Sequence, residues 1–342
     1  MENQTSKPDD QHFDYLDGWR GLAIVFLLIG HFFPIPGINF GRVGVDFFFV
    51  LSGLLMSRLL FIKKVPIKTF YQRRIARIFP AHFAYLILIL CYFLLAGKEI
   101  NWSETLMAGL FINNYFPGEI GHAVMPFGHI WSLSVEEHTY IGLSLIAIGV
   151  RQRLLNVQYT IGILVLISIV FGVSYWYLYT PQKLEYELWG HSEVSAFGIL
   201  FSAFLLLLFK KIKIPTLPTA FYPALILLGL ACYWWSVPLP IRGYIGVGLF
   251  AFVVNALPTA PSIVKNILSM RPLKMVGIYS FSIYLWQQVF YLAHHREGLP
   301  SSIALLLSLC CGVTSYYLVE NPFRRYLNTR WGESMSKASY KN

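Results

Sequence analysis

Apolar residues run along this chain in blocks of sixteen to twenty-two, separated by short basic or glycine- and proline-rich stretches. A helix needs roughly 20 mainly apolar residues to cross the hydrocarbon of a bilayer. Blocks of that order lie at 19–34, 43–62, 79–96, 129–150, 157–178, 194–209, 220–237, 241–257, 274–292 and 299–319. The pattern predicts an all-α polytopic membrane protein with about ten transmembrane helices. One more apolar stretch, Leu106 to Ile112, is too short to cross and is closed off by Asn113, Asn114, Pro117 and Gly118.

Charge fixes the predicted orientation. With a cytoplasmic N-terminus, the inner loops and tail hold Lys63, Lys64, Lys68, Arg73, Arg74 and Arg77, then Arg151 and Arg153. Lys210, Lys211, Lys213, Lys265, Arg271 and Lys274 also fall inside, followed by Arg324, Arg325, Arg330, Lys337 and Lys341. Only Arg42, Lys98, Lys183, Arg242 and Arg296 fall outside, nineteen basic residues against five, as the positive-inside rule requires. Both termini are therefore expected in the cytoplasm, and residues 97–128 form one outer segment with a re-entrant or interfacial turn around Trp102 to Ile112.

Composition agrees. Hydrophobic residues make up 56% and charged residues 13% of the chain, too little charge to cover the surface of a soluble globule of this size. The net charge of +10 reads as loop charge in a multi-pass protein of the cytoplasmic (inner) membrane, not as a nucleic-acid footprint. The four cysteines sit in apolar runs without CxxC spacing, which leaves no basis for a disulfide framework or a metal site. No basic n-region precedes the first block, so it is expected to stay as a helix. With no internal repeat, the chain reads as a polar N-terminal tail over 1–12, one membrane domain over 13–326 and a cytoplasmic tail over 327–342.

Against this background, ionisable residues inside apolar spans are functional candidates. Asp14, Asp17 and Arg20 lie at the inner end of the first span and His31 near its outer end. Asp46, in Gly44-Val45-Asp46-Phe47-Phe48-Phe49-Val50-Leu51-Ser52-Gly53, falls at about the depth of His31 and is either its partner or an interfacial cap. Glu136 and Glu137, in Trp131-Ser132-Leu133-Ser134-Val135-Glu136-Glu137-His138, open another inward span and point about 100° apart on a helix, so only one readily faces the histidine. Arg73 and Arg77, four apart on the inner edge of the third span, suit either a phosphate clamp or plain cytoplasmic-edge charge. Tyr284 and Gln287 are placed to line a polar cavity along the ninth span. His82, His294 and His295 read as interfacial.

A histidine with a carboxylate in a dry cleft suits general-base work on a hydroxyl, and an arginine clamp on the other side would hold a phosphorylated donor. No Walker motif, GxGxxG, GxSxG, HExxH or CxxC is present, so ATPase, nicotinamide-dependent, serine-hydrolase and zincin readings have no support.

Five motifs in order carry a resemblance: Asp17-Gly18-Trp19-Arg20-Gly21-Leu22-Ala23 followed by His31, the Gly44 to Gly53 run, Arg73-Arg74-Ile75-Ala76-Arg77-Ile78-Phe79-Pro80, Trp131 to Glu137, and Glu320-Asn321-Pro322-Phe323. Over residues 13–326 the chain resembles the acyltransferase 3 family of membrane acyltransferases. The resemblance implies O-acyl, most often O-acetyl, transfer from acyl-CoA to an extracytoplasmic carbohydrate such as a cell-surface polysaccharide or O-antigen. It makes His31 the catalytic histidine, Arg20 its paired arginine, and Arg73, Arg74 and Arg77 the basic motif on the CoA side. With that assignment, Asp46 or Glu136 is expected to orient the histidine and to belong to the catalytic group, while Glu137, Tyr284 and Gln287 are expected to face the substrate; no metal is expected. Where family members often carry a second histidine after Tyr-Leu-Trp, this chain has Gln287. Some relatives add a C-terminal extracytoplasmic hydrolase-like domain, and this sequence is expected to act alone or with a partner protein in surface-glycan assembly. The alternatives are a proton-coupled transporter and a glycan flippase using the same intramembrane histidine and carboxylates.

Overall fold

The computed structural model describes residues 13–116, 124–212 and 214–339. The predicted tail 1–12, Pro117, Gly118, Lys213 and Lys341 lie outside the described residues. Every predicted block contains a helix: α1 (Asp14–Phe32), α2 (Phe40–Ile62), α3 (Ile67–Leu95), α4 (Trp102–Gly109), α5 (Trp131–Arg151), α6 (Val157–Leu178), α7 (Ser192–Lys211), α8 (Phe221–Ala231), α9 (Ile241–Thr259), α10 (Arg271–Glu297) and α11 (Ser301–Gly332), with α4 and the short helices Pro181–Tyr186 and Ser262–Leu268 falling outside the blocks. Among the described residues, six of these, α2, α3, α6, α7, α9 and α11, are long and apolar enough to cross a membrane. α1, α5 and α10 are long enough but more polar, because they carry most of the residues singled out above. α8 has 11 residues, shorter than its sequence block. The protein is an all-helical membrane protein.

Local sequence sets the helix ends. Asn39, Asn101 and Asn156 cap the starts of α2, α4 and α6, each accepting from backbone N–H groups of the first turn. Gly298, at φ +74°, closes α10, and Pro300 follows. Inside α11 the turn from Tyr316 to Glu320 widens to a π-helix immediately before Pro322, which has no N–H to continue the α ladder.

The core forms around α1, which packs against α2 on one side and α10 on the other. Small residues allow the approach: a Cβ on Gly30 would lie 2.1 Å from Gly41 N, and one on Gly277 1.8 Å from Asp17 O. Trp19 stacks on Phe47 at 4.6 Å and donates its indole N–H to the Phe47 carbonyl. α1 and α10 run parallel, joined at one end by Lys274 with Asp14 at 2.9 Å and at the other by His31 with Gln287. The outer surfaces of α3 and α6 expose Ile87, Leu88, Leu94, Ile163, Leu166 and Val170, side chains that only lipid solvates favourably.

Residues 102–112, expected as a re-entrant or interfacial turn, hold the eight-residue α4, with Trp102 and Leu106 exposed and Ala108 buried. Phe111, Asn113 and Asn114 after α4, and Met125, Phe127 and His129 just before α5, are buried.

Candidate active site

A cavity of about 210 Å³ lies between α2, α3, α5 and α10. Its wall is apolar, with Phe48, Phe49, Leu55 and Phe281, except for two groups of polar side chains. Arg20, Ser52, Arg73, Arg74, Arg77, Glu136 and Tyr140 form the first; Ser132, Ser280 and Tyr284 form the second.

The arginines do not act alike. Arg74 lies 3.6 Å over the Tyr140 ring; its Nε donates to Glu137 Oε1 at 2.9 Å, and Nη2 to Glu136 Oε2 at 3.3 Å. Glu136 Oε1 also accepts from Ser52 Oγ at 2.7 Å. Arg20 pairs with Asp17 at 2.5 Å. Arg73 and Arg77, four residues apart on one face of α3, line the cavity with no carboxylate at ion-pair distance among the described residues. Of the expected clamp, Arg73 and Arg77 are therefore the open cations. Arg74 is already neutralised by the two glutamates expected to face the histidine and the substrate.

His31 lies elsewhere. Its Nδ1 is 2.7 Å from Gln287 Oε1, and its ring is 4.5 Å from that of Tyr291. Neither Asp46 nor Glu136 makes the expected contact with it. Helical phase explains Asp46: the α2 residue facing His31 is Gly41, where a Cβ would meet Nε2 at 3.1 Å. Five residues further on, a side chain points about 140° away. Asp46 accordingly faces the other side, 2% exposed, and accepts from Arg42 Nε at 3.1 Å and Tyr233 OH at 2.6 Å. Depth explains Glu136: its α2 partner is Ser52, eleven residues from Gly41 and so roughly 16 Å along the helix.

α10 links the two regions. Ser280, Tyr284, Gln287 and Tyr291 follow one another at spacings of four, three and four, which places them on one helix face. The first two line the cavity and the last two touch His31. Tyr284, expected to face substrate, spends its hydroxyl on structure, donating to the His129 carbonyl while Ser132 Oγ lies 2.6 Å from it. Gln287, also expected there, is fully buried and holds the histidine. Its amide oxygen accepts from Nδ1–H, so Nε2 carries the lone pair.

Several polar contacts had no signal in the sequence because their partners are distant in the chain. Tyr233 reaches Asp46, and Arg42 Nη2 reaches Ser195 Oγ at 3.1 Å. Across α5, His138 Nδ1 is 2.7 Å from Ser192 Oγ, which also accepts from Asn114. Nearby, Tyr115 and Tyr175 both donate to Glu193, and burial raises the Tyr115 phenol above its ordinary range.

Comparison with known proteins places the chain. A family model described as an acyltransferase domain matches residues 13–319. The chain belongs to this acyltransferase 3 family. It is 26% identical to the O-acetyltransferase OatA of Staphylococcus aureus over 355 residues, covering 91% of this chain and 57% of that protein. It is 26% identical to the putative peptidoglycan O-acetyltransferase YrhL of Bacillus subtilis, covering 92% and 56%. It is 24% identical to the peptidoglycan O-acetyltransferase OatA of Listeria monocytogenes, covering 83% and 50%. The chain thus spans about half the length of the curated relatives it matches. No solved structure matches it.

Proposed function

We propose that the protein transfers an acyl group, most simply acetyl, from acyl-CoA to a hydroxyl of a cell-surface glycan. The observation that carries this reading is the arrangement along α10: a cavity with two arginines on its wall that have no carboxylate at ion-pair distance among the described residues, and a histidine, held at Nδ1 by Gln287, one helical turn beyond the cavity's Tyr284. Arg73 and Arg77 would take the donor's phosphates from the cytoplasmic side. The thioester would reach past Tyr284 toward His31, where the acceptor arrives from the outer face. Nε2 of His31 removes the hydroxyl proton as the oxygen bonds to the acyl carbon. The carbon–sulfur bond then breaks, and the proton passes to the departing thiolate to give free CoA. Gln287 holds the ring and fixes its tautomer.

The charge asymmetry of the loops supports ten spans in the cytoplasmic membrane with both termini inside. The relatives' names make peptidoglycan the first acceptor to try, alone or with a partner protein. The test is CoA thiol release from acetyl-CoA by the purified protein, with and without glycan. Hydroxyl-dependent release, lost by about 10²–10⁴ in a folded His31→Ala variant, is the expected result. Normal turnover in that variant would eliminate the base role, and proton-coupled uptake without thiol release would favour a transporter.

A further inference from the structure

His129 lies beside this site and plays no part in the scheme above. It occupies a 3₁₀ turn, Gly128–Ile130, just before α5. Only 6% exposed, it has neither Nδ1 nor Nε2 bonded to any partner among the described residues. A neutral imidazole carries one N–H and one lone pair, and leaving both buried and unpaired is unfavourable.

The surroundings fix the ring without satisfying it. Three side chains from separate parts of the fold donate to the carbonyls of this short segment. Tyr85 of α3 reaches Pro126 O at 2.7 Å, Asn113 reaches Phe127 O at 3.1 Å, and Tyr284 of α10 reaches His129 O. Asn113 is itself held by Ser134 of α5 at 2.7 Å. The rings of Tyr85 and Tyr284 pack against the imidazole at 5.7 and 5.1 Å, but their hydroxyls are spent on backbone. The Tyr284 hydroxyl ties the segment to the cavity wall. Tyr284, which packs on His129, and Gln287, which holds His31, are three residues apart on one face of α10.

We propose that His129 is a second catalytic histidine, whose ring N–H donates a hydrogen bond to the thioester carbonyl oxygen of acyl-CoA and stabilises the oxyanion formed on attack. This rests on the acyl-transfer reading. His31 takes the hydroxyl proton, the oxygen–carbon bond forms, and negative charge collects on the carbonyl oxygen facing His129. The carbon–sulfur bond then breaks, and the thiolate receives the proton from His31. His129 gives up no proton overall. A donor held rigid before the substrate arrives needs no reorganisation as the charge develops, which is the condition for effective oxyanion stabilisation.

The test compares wild type with His129→Phe, which keeps a ring in the space, and His129→Gln, which keeps an N–H. Removing one oxyanion donor lowers turnover by about 10²–10³. His129→Phe should therefore lose kcat by that factor with donor affinity changed less than about threefold, and with melting temperature unchanged or raised; His129→Gln should lie between. In parallel, the infrared carbonyl stretch of bound acetyl-CoA, isotopically labelled at the carbonyl, should be lowered in wild type and shift back toward the free frequency in His129→Phe. Should that variant not fold, wild type against His129→Gln reads the same band. Turnover within about threefold of wild type in His129→Phe would overturn the proposal, since a water or simple packing would then account for the ring. An identical carbonyl band in wild type and the variants would do so too. Failure of wild type to bind acetyl-CoA would instead refute the acyl-transfer reading and His129's role with it.

Discussion

At the scale of single residues, the site separates cations that hold the protein together from cations left free to hold something else. Arg74 is enclosed, with 9% of its side chain exposed, and serves Glu136 and Glu137, themselves 13% and 14% exposed. Removing one partner of a buried ion pair leaves the other charge uncompensated, which is destabilising by about 3–5 kcal/mol. Arg74→Ala should therefore lower the melting temperature strongly, whatever it does to activity. Arg77 has no carboxylate at ion-pair distance among the described residues, Glu320 acting on it only from further away, and a charge-assisted hydrogen bond to a ligand contributes about 1.5–3 kcal/mol. Arg77→Ala should leave the melting temperature within a few degrees, raise the acyl-CoA KM by about tenfold or more, and leave the acceptor KM little changed. Melting curves and donor titrations on one preparation of each variant check both statements; an unaltered donor KM in folded Arg77→Ala would remove that residue from the clamp. His31 was legible in the sequence because a histidine within an apolar span is conspicuous. His129 was not, since it stands at the very edge of its block, and only burial without partners among the described residues distinguishes it.

At the scale of the helix, periodicity and length locate the elements well, because the bilayer imposes one minimum length on each apolar run. What one-dimensional reading misses is rotation and depth. Asp46 and His31 are matched in depth by counting residues, yet helical phase turns Asp46 toward Tyr233. Glu136 is misplaced because its carboxylate lies level with Ser52 and Arg74, well along α2 from the Gly41 that faces His31. The glycines fix the remaining geometry. At Gly30 a Cβ would collide with the α2 backbone at Gly41, whereas at Gly142 on α5 nothing lies within 4 Å. Gly30→Ala must push α1 and α2 apart, an overpacking change that costs about 1–3 kcal/mol or more. Gly142→Ala, in open space on a helix, should stabilise by about 0.5–1 kcal/mol. Opposite shifts in thermal midpoint in the same detergent are the expected outcome, and equal shifts would refute close α1–α2 packing at Gly30.

At the scale of the whole molecule, the bundle has chemically distinct ends, and this would give the proposed transfer a direction. Arg20, Arg77, Glu320 and Arg324 lie within electrostatic reach of one another at one end of the core. His31, Gln287, Tyr291 and His295 gather toward the other, where Lys98 pairs with Glu297 at 3.8 Å. A donor that binds the first group from the cytoplasm and an acceptor that meets His31 from outside need never share a compartment, and the acyl group alone would pass along the α10 face. That requires the basic end to face the cytoplasm, as the loop charges favour. Single cysteines introduced at Lys98 and Lys211 in a background without native cysteines test it directly, since ten spans put these positions on opposite sides. In intact cells an impermeant maleimide should label the Lys98 position, and the Lys211 position only after the membrane is permeabilised. The reverse pattern would invert the route, sending the donor in from outside. Labelling of both positions from outside would show that an even number of crossings lies between them, instead of the expected three, and would rule out the ten-span arrangement.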